Sequence, residues 1–538
     1  MAIFLLFSLV ALCVVIVLKI GSREKGLPPG PPTVPILGNA HIFPTKFPHY
    51  RFTEWARKYG GLFSLKIGKD TVVVLTDAAA VRELLHKRSS TTADRPPTYV
   101  GDLVTDGLHM VHARFTPAWK AERRASAVIL TPLAISQHLP IQRAEATQLL
   151  HDILHSPQSF YTDMQRYSIS VIYSVLHGRR VPRYETEEVA AFMNAMHAWN
   201  ALMEPGSTPP VDAIPVLKLI PERWAKWKRD CKEIRNLLRA RYFGLVEEIR
   251  ERIRRNQHNG SYMEKVLERQ AELGMDEEMT GWFGGALLEA GTHTTSAYIQ
   301  SLVLALIAYP EAQKKGHEEI DRVVGEDRMP TLEDLEQMPY IRAIISETHR
   351  FRPVTPVGVP HATLSPEEYQ GYIIPKGTTI FANICEFIRA TIVQALYDRP
   401  EDFIPERYLL SENGTRFGVD GSNLKPTFPF GFGRRICPGM YLAQNSININ
   451  VMNLLWAFNF EHDIDTKGNL VPVDIFAYEQ GSGTAPEPFK CRITPRTVAK
   501  ARIIEQEFLE AADTFSKFEV GLSPEDKEFV ARSRAHAL

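Results

Sequence analysis

The sequence predicts a mainly helical protein with small β-sheets. Helical periodicity dominates residues 131–257, and a longer helical run covers residues 276–308. After residue 377 the chain changes to short strands, turns and one more helix. Near the N-terminus, the β-rich stretch Leu62–Leu75 is divided by Gly68-Lys69-Asp70, which predicts a hairpin with a three-residue loop.

The composition is that of an ordinary globular protein. Among 538 residues, 62 Lys and Arg balance 63 Asp and Glu, so the formal net charge is -1 and no positive excess attracts nucleic acid. The five cysteines are odd in number, far apart and without CxxC spacing, so they suggest neither a disulfide framework nor a zinc site. A reducing compartment fits this cysteine usage best.

The N-terminal segment predicts a membrane anchor. Residues 2–18 are apolar except for Ser8, and as a helix they reach roughly 25 Å. Basic residues follow this run and none precedes it, so we expect residues 1–20 to span a membrane once, with the remaining chain in the cytoplasm. The alternative is a cleaved signal peptide. Residues 21–40 contain a Pro-rich hinge, for which a plain spacer is the alternative.

The most specific element is the segment Phe428–Gly439, which is followed by a helix with apolar residues at helical spacing. Cys437 lies just before the helix N-terminus, where backbone N–H groups favour a thiolate. Arg434 and Arg435 add positive charge, and the glycines let backbone pass close under a flat cofactor. A lone cysteine here is more often a small buried hydrophobe. The combined spacing of Phe, Gly, Arg, Cys and Gly favours a ligating thiolate instead.

The run from Phe430 to Gly439 resembles the haem-binding signature of cytochromes P450, Phe-x-x-Gly-x-Arg-x-Cys-x-Gly, at every specified position. The resemblance implies the P450 fold, in which haem b lies between a long central helix and the cysteine loop. Cys437 would be the axial iron ligand, and Phe430, Gly433 and Gly439 would help to bind the cofactor. Residues 41–496 would form the catalytic domain, with a helical tail at 497–538.

Two further motifs resemble elements of the same family. Glu347 and Arg350 lie three residues apart on a predicted helix, and Arg407 follows in Pro405-Glu406-Arg407. Alone, each motif is typical of a surface ion pair. The resemblance implies a buried structural network of the three side chains.

Candidate ligands of the haem propionates come from separate segments. Trp119 and Arg123 resemble the family's Trp-x-x-x-Arg helix, in which one turn brings both side chains to one face. Arg435 and His361 also lie where the resemblance places propionate donors. For His361, a core or surface role is the alternative.

The long helix contains Ala290-Gly291-Thr292-His293-Thr294-Thr295, where a glycine and β-branched residues predict a kink. The alternative is that the threonines bond back to the preceding turn. The run resembles the family's oxygen-activation motif, so Thr294, His293 and Thr295 are the predicted catalytic residues, with Thr294 as the relay hydroxyl. The family has an acid where this chain has His293, and we expect the imidazole to replace it as a proton shuttle.

The resemblance implies a monooxygenase that acts on an apolar small molecule with dioxygen. Electrons would come from NADPH through a separate reductase, NADPH-cytochrome P450 reductase, with cytochrome b5 as a further donor, since the chain has no dinucleotide fingerprint. The endoplasmic reticulum membrane is the expected location. Within the family, the sequence most resembles fungal enzymes of secondary metabolism, such as sterigmatocystin-type oxidoreductases. Two alternatives are a haem-thiolate isomerase or dehydratase and a non-catalytic haem-binding membrane protein. The segment Glu386–Gln394 departs from the family pattern because it is unusually apolar.

Overall fold

A computed structural model describes residue 4, residue 8 and the ranges 18–204, 206–385, 396–481 and 483–537. The expected anchor at residues 1–20 lies mostly outside the described residues, and the segment Glu386–Gln394 lies wholly outside them. Among the helices that are described, none combines the length and the apolar character needed to cross a membrane.

Helices make up most of the described chain, as the sequence predicts. The α-helices are α1 (Pro48–Tyr59), α2 (Ala78–Val81), α3 (Ser89–Thr92), α4 (Tyr99–Thr105), α5 (Pro117–Ile129), α6 (Pro132–Ser136), α7 (Leu139–His155), α8 (Phe160–His177), α9 (Glu187–Met203), α10 (Lys226–Arg254), α11 (Tyr262–Glu268), α12 (Gln270–Leu273), α13 (Glu277–Ala308), α14 (Pro310–Val323), α15 (Pro339–Phe351), α16 (Arg407–Leu410), α17 (Met440–Ala457), α18 (Val498–Glu510), α19 (Ala512–Ser516) and α20 (Pro524–His536).

The strands form three small sheets. They are β1 (Leu62–Ile67), β2 (Asp70–Leu75), β3 (His361–Ala362), β4 (Glu367–Tyr369), β5 (Tyr372–Ile374), β6 (Thr379–Ala382), β7 (Phe458–Ile464), β8 (Leu470–Val471) and β9 (Cys491–Pro495). The sheet orders are β1-β2-β6-β3, β4-β5 and β8-β7-β9. The prediction of a three-residue hairpin loop is wrong, because Asp70 pairs with Ile67 and begins β2. Gly68, at a φ of +58°, makes the tight two-residue turn possible.

Helix α13 runs through the centre of the protein and organises its core. Its N-terminus is capped by Asp276, whose Oδ1 accepts a hydrogen bond from Met279 N at 2.8 Å. Pro310 follows its C-terminus and prevents continuation of the same helix. Its 32 residues span roughly 48 Å. The helix is buried over most of its length, and Trp282 and Leu302 are fully buried.

The central helix approaches α8 closely at Gly291. A Cβ atom at Gly291 would lie 2.4 Å from Ile172 Cγ1 on α8. The glycine is therefore required for helix packing. The helix is continuous through this segment, and Thr292 and Thr294 donate to the carbonyl oxygens of Leu288 and Ala290 at 2.8 and 2.9 Å. The back-bonding that was the alternative interpretation of these threonines is therefore present, and the kink stays a prediction.

The tail after Arg496 is helical, as expected, and packs into the main core. Ile504, Phe508 and Phe515 are buried in the same hydrophobic cluster as the central helix. Arg180, also buried, donates to Glu519 Oε1 at 2.7 Å. Tail and catalytic domain therefore share a core.

Candidate active site

The Cys437 loop consists of two short 3-10 turns, Phe428–Phe430 and Gly433–Arg435, that lead into α17. Gly433 has a φ of +52°, and a Cβ there would lie 2.5 Å from the carbonyl oxygen of Leu85. Cys437 N donates to Phe430 O at 2.8 Å, which closes the loop. The glycine at 433 thus permits a backbone contact that fixes the position of Cys437.

Burial raises the pKa of the Cys437 thiol, while the N–H of Gly439 and the charge of Arg123 act in the opposite direction. The predicted stabilisation of a thiolate by backbone N–H groups is present, and the arginine that adds to it is Arg123 instead of the predicted Arg434 and Arg435, but burial outweighs both in the polypeptide alone. A metal ion bound to sulfur would reverse this balance, because coordination deprotonates a thiol. Gly439 has open space where a Cβ would stand, so this side of the cysteine is not filled by protein.

Two buried guanidinium groups, Arg95 and Arg435, lie near each other beside this loop. Their exposed fractions are 5% and 9%. Burial lowers the pKa of both, and for Arg95 the charge of Arg435 lowers it further. The nearby carboxylate of Asp94 is paired with Arg114. A buried pair of like charges is stabilised by added negative charge, and this donor set fits the two propionates of a haem.

Arg95 was not predicted, whereas the predicted propionate ligands besides Arg435 lie close to this pair. The Arg435 guanidinium stacks 3.9 Å above the Trp119 ring. Trp119 Nε1 donates to Met110 O at 3.1 Å, Arg123 donates to Ile436 O, and His361 Nδ1 is 2.9 Å from Thr92 O. Arg435 itself donates to the carbonyl oxygens of Ala93 and Ala113. The structure groups all four side chains, and their contact with a propionate stays a prediction.

The two aromatic residues of the signature pack against other rings. Phe430 is half-buried and meets the His349 ring edge to face, with 5.4 Å between centroids. Phe432 is buried and packs on Phe428. These rings exclude water from the loop.

The catalytic residues predicted on α13 differ in their surroundings. Thr294 is exposed although it lies in the middle of a buried helix, so open space adjoins its hydroxyl. Thr295 is 9% exposed and faces protein. Burial lowers the pKa of His293, His197 lowers it further and Glu289 raises it. The imidazole of His293 is therefore neutral at neutral pH and can accept a proton.

A buried polar cluster on the same helix was not predicted. Glu289 lies one turn before His293 and accepts a hydrogen bond from Tyr242 Oη. Its other oxygen lies 3.1 Å from His109 Nε2. The available signal was the spacing of Glu289 and His293, four residues apart in an otherwise apolar run. The partners of Glu289 come from distant segments.

The predicted charge network is confirmed and is fully buried. Glu347 accepts hydrogen bonds from Arg350 Nε at 2.7 Å, Arg350 Nη2 at 2.8 Å and Arg407 Nε at 3.2 Å. Ile404 N donates to the same carboxylate at 2.7 Å. The remaining guanidinium N–H groups of Arg350 bind the carbonyl oxygens of Pro400 and Asp402. The network thereby fixes the segment that precedes the cysteine loop.

Comparisons with known proteins agree with this geometry. The family model for cytochrome P450 matches residues 28–486. A cytochrome P450 monooxygenase of Armillaria gallica is 42% identical over 517 residues, which cover 96% of this chain and 98% of that protein. Cytochrome P450 monooxygenase atE of Aspergillus terreus is 35% identical over 506 residues, which cover 93% of this chain and 94% of that protein.

A solved structure of a zebrafish cytochrome P450 with abiraterone has the same fold. Its TM-score is 0.66 at 24% identity, and the match covers 84% of this chain and 100% of that chain. Since the family model spans most of the sequence and the fungal relatives match it almost end to end, the chain belongs to the cytochrome P450 family of monooxygenases.

Proposed function

We propose that this enzyme inserts one atom of dioxygen into an apolar small molecule in secondary-metabolite biosynthesis, with electrons from NADPH delivered by a separate reductase. The observation that carries the proposal is the position of Cys437 in a glycine-rich loop beside the buried cations Arg95 and Arg435. The fungal relatives that are named monooxygenases support the same chemistry.

Haem b held by Cys437 would supply the oxygen chemistry, with the thiolate as electron donor. Arg435, Arg123, Trp119 and His361 would hold and orient the propionates. The Thr294 hydroxyl, with open space beside it, would turn from the carbonyl oxygen of Ala290 to donate its one hydrogen bond to a ligand there. His293, neutral at neutral pH, would take a proton from solvent and pass it on, in place of the family's acid.

The substrate pocket would lie between the central helix and three segments, Val100–Val111, Val354–Val359 and Glu479–Thr484. Thr484 N donates to Val354 O at 2.8 Å, which brings two of these segments together. His109 joins the first segment to the central helix through Glu289. Val354, Val357 and Val359 would offer apolar contacts to an apolar substrate, and His109 with Glu289 would offer it a polar contact.

We also propose that the enzyme is held at the endoplasmic reticulum membrane by residues 1–20, with its catalytic domain in the cytoplasm. An exposed apolar group between α9 and α10 supports membrane contact: Ile214, Val216, Leu219 and Trp224 are 47 to 78% exposed. Leu18 and Ile20, at the end of the expected anchor, are exposed and apolar as well.

Electron delivery would use the face of the cysteine loop. Arg434 is exposed there, next to the buried Arg435, and offers positive charge to an acidic reductase or to cytochrome b5. Replacing Arg434 with Glu should lower the rate of reduction at a given reductase concentration without changing haem content.

The first experiment is the carbon monoxide difference spectrum of the reduced protein in yeast microsomes. We expect a thiolate-type Soret band that Cys437→Ser abolishes. Cys491→Ser is the matched control, because Cys491 is a free, partly exposed cysteine on β9. A folded wild-type protein without haem, or a band that survives Cys437→Ser, would refute the proposal.

Dependence on reductase and dioxygen distinguishes a monooxygenase from the alternatives. A haem-thiolate isomerase or dehydratase would turn over without either, and a non-catalytic binder would give a substrate-induced spectral change without product. For His293, the coupling of NADPH use to product is compared in His293→Asp and His293→Ala. We expect the aspartate variant to keep coupling and the alanine variant to lose it; unchanged coupling in both would remove His293 from the relay.

A further inference from the structure

A cluster of two histidines and a glutamate lies outside the haem site, where the tail packs on α7. His151 and His155 are four residues apart on α7, so their rings project from one face of the helix. Glu505 faces them from α18. The three candidate ligand atoms all lie within 4.8 Å of one another. Two imidazoles and a carboxylate thus converge from segments that are far apart in sequence.

The separations within the cluster suit a small metal ion. Glu505 Oε2 lies 3.3 Å from His151 Nε2, and Glu505 Oε1 lies 2.7 Å from His155 Nε2. Tetrahedral bonds of about 2.05 Å to zinc place neighbouring ligand atoms about 3.3 Å apart. The first pair already has this separation. The second pair can open to it, because 46% of the His155 side chain is exposed.

Hydrogen bonds do not account for the burial of His151. It is only 5% exposed. Within the described part of the chain, neither of its ring nitrogens has a hydrogen-bond partner, and Glu505 Oε2 has none either. Unsatisfied polar atoms of this kind are costly in a buried setting and usually indicate a missing water or ion.

An ordinary ion pair accounts for only part of the cluster. The bond between Glu505 and His155 would explain those two residues, but it would leave both nitrogens of His151 and one carboxylate oxygen unsatisfied. A bound cation takes one lone pair from each of the three side chains and gives His151 Nε2 the partner that the ion pair does not.

The surroundings of His151 hold its ring in place. The ring stacks on Phe508 with 4.0 Å between centroids and 17° between planes. Its Nδ1 lies 3.8 Å from Asp152 Oδ1, and the other oxygen of Asp152 pairs with Arg166 Nε at 3.1 Å. At 3.8 Å the carboxylate of Asp152 is too far for a hydrogen bond, but its negative charge favours a proton on Nδ1 and so leaves Nε2 for the metal.

We propose that His151, His155 and Glu505 form a zinc site that fastens the tail helix α18 to α7. The site uses no cysteine, which is why the cysteine pattern of the sequence gave no sign of it. Two imidazoles and one carboxylate are a ligand set that suits zinc, and the exposed side at His155 leaves the fourth position to water. The metal joins two segments of the fold and takes no part in oxygen chemistry.

The test uses the full-length, haem-loaded protein, stripped with a chelator and dialysed against zinc chloride. Zinc and haem iron are counted by mass spectrometry, and affinity is measured against a chromophoric chelator. We expect one zinc per chain and a rise in the thermal midpoint on zinc addition. His155→Ala and Glu505→Gln should each weaken binding at least about tenfold and abolish the rise.

The matched control is His258→Ala, which removes an exposed histidine that also lies near a glutamate, 3.7 Å from Glu268. This variant should bind zinc as the wild type does. Both test positions are partly exposed, so their variants are expected to fold, and an unchanged haem spectrum verifies this. Absence of stoichiometric zinc in the wild type, or equal affinity in the wild type and both test variants, would overturn the proposal.

Discussion

Removal of the Glu347 carboxylate should destabilise the protein more than any surface ion-pair mutation. The side chains of Glu347 and Arg350 are 0% exposed, and that of Arg407 is 6% exposed. Glu347→Ala would leave two guanidinium groups buried without their counter-charge and would also release Ile404 N. Breaking a buried ion pair by deleting one partner costs about 3 to 5 kcal/mol. At about 1.4 kcal/mol per factor of ten, the folding equilibrium shifts by two to three orders of magnitude or more.

The assay is urea unfolding followed by haem absorbance and by tryptophan fluorescence. For a cost of that size we expect the midpoint to fall by roughly 1 M or more. Glu54→Ala is the matched control, because Glu54 pairs with Arg51 at the same three-residue spacing but both side chains are about half exposed. An exposed pair contributes less than about 1 kcal/mol. If both variants lost equally little stability, the inference that this network holds the segment before the cysteine loop would be refuted.

Three further predictions follow from particular contacts. Gly291→Ala should lower the free energy of unfolding by about 1 to 3 kcal/mol, because the new Cβ would meet Ile172. Gly244→Ala on α10 has open space at its Cβ and should raise the free energy of unfolding by up to about 1 kcal/mol. Equal effects of the two substitutions in urea unfolding would contradict this. Burial lowers the pKa of His138 to about 4. As the pH falls, His138 therefore takes up a proton in the unfolded chain before it does so in the folded chain, and stability falls as the pH drops from about 6.5 towards 4. Between pH 7.5 and pH 5, His138→Asn should lose about 2 kcal/mol less stability than the wild type. Urea unfolding of both proteins at the two pH values checks this. Glu289→Gln removes a charge that raises the pKa of His293. The pH below which coupled turnover declines should therefore be lower in this variant. An unchanged pH profile would show that Glu289 does not affect proton delivery by His293.

Local spacing predicted the parts of the site that are encoded in short segments. The Cys437 loop and the pair of Glu347 and Arg350 could be recognised because each motif lies in one continuous segment, the second on one helix face. The long helix was predicted within one residue of its observed start, since Asp276 caps it and Pro310 follows it.

Residues that meet only in the folded chain could not be predicted in this way. His109 and Glu289 are 180 positions apart, and no periodicity relates them. The same holds for His155 and Glu505, which are separated by 350 positions. The hairpin error at Asp70 has a different cause, because an aspartate is typical of turns and its pairing with Ile67 depends on strand register.

The packing of the tail also sets the order in which the chain can mature. Phe508 and Phe515 are synthesised long after α7 and α8, yet they complete the core around those helices. Until residues 498–519 leave the ribosome, the surfaces that they cover stay open to water and to chaperones, and Arg180 lacks its partner Glu519. A ribosome that stops at residue 497 would release a chain with the complete cysteine loop and an uncovered apolar surface. Such a product would be a substrate for cellular quality control even though every group of the haem site had been made.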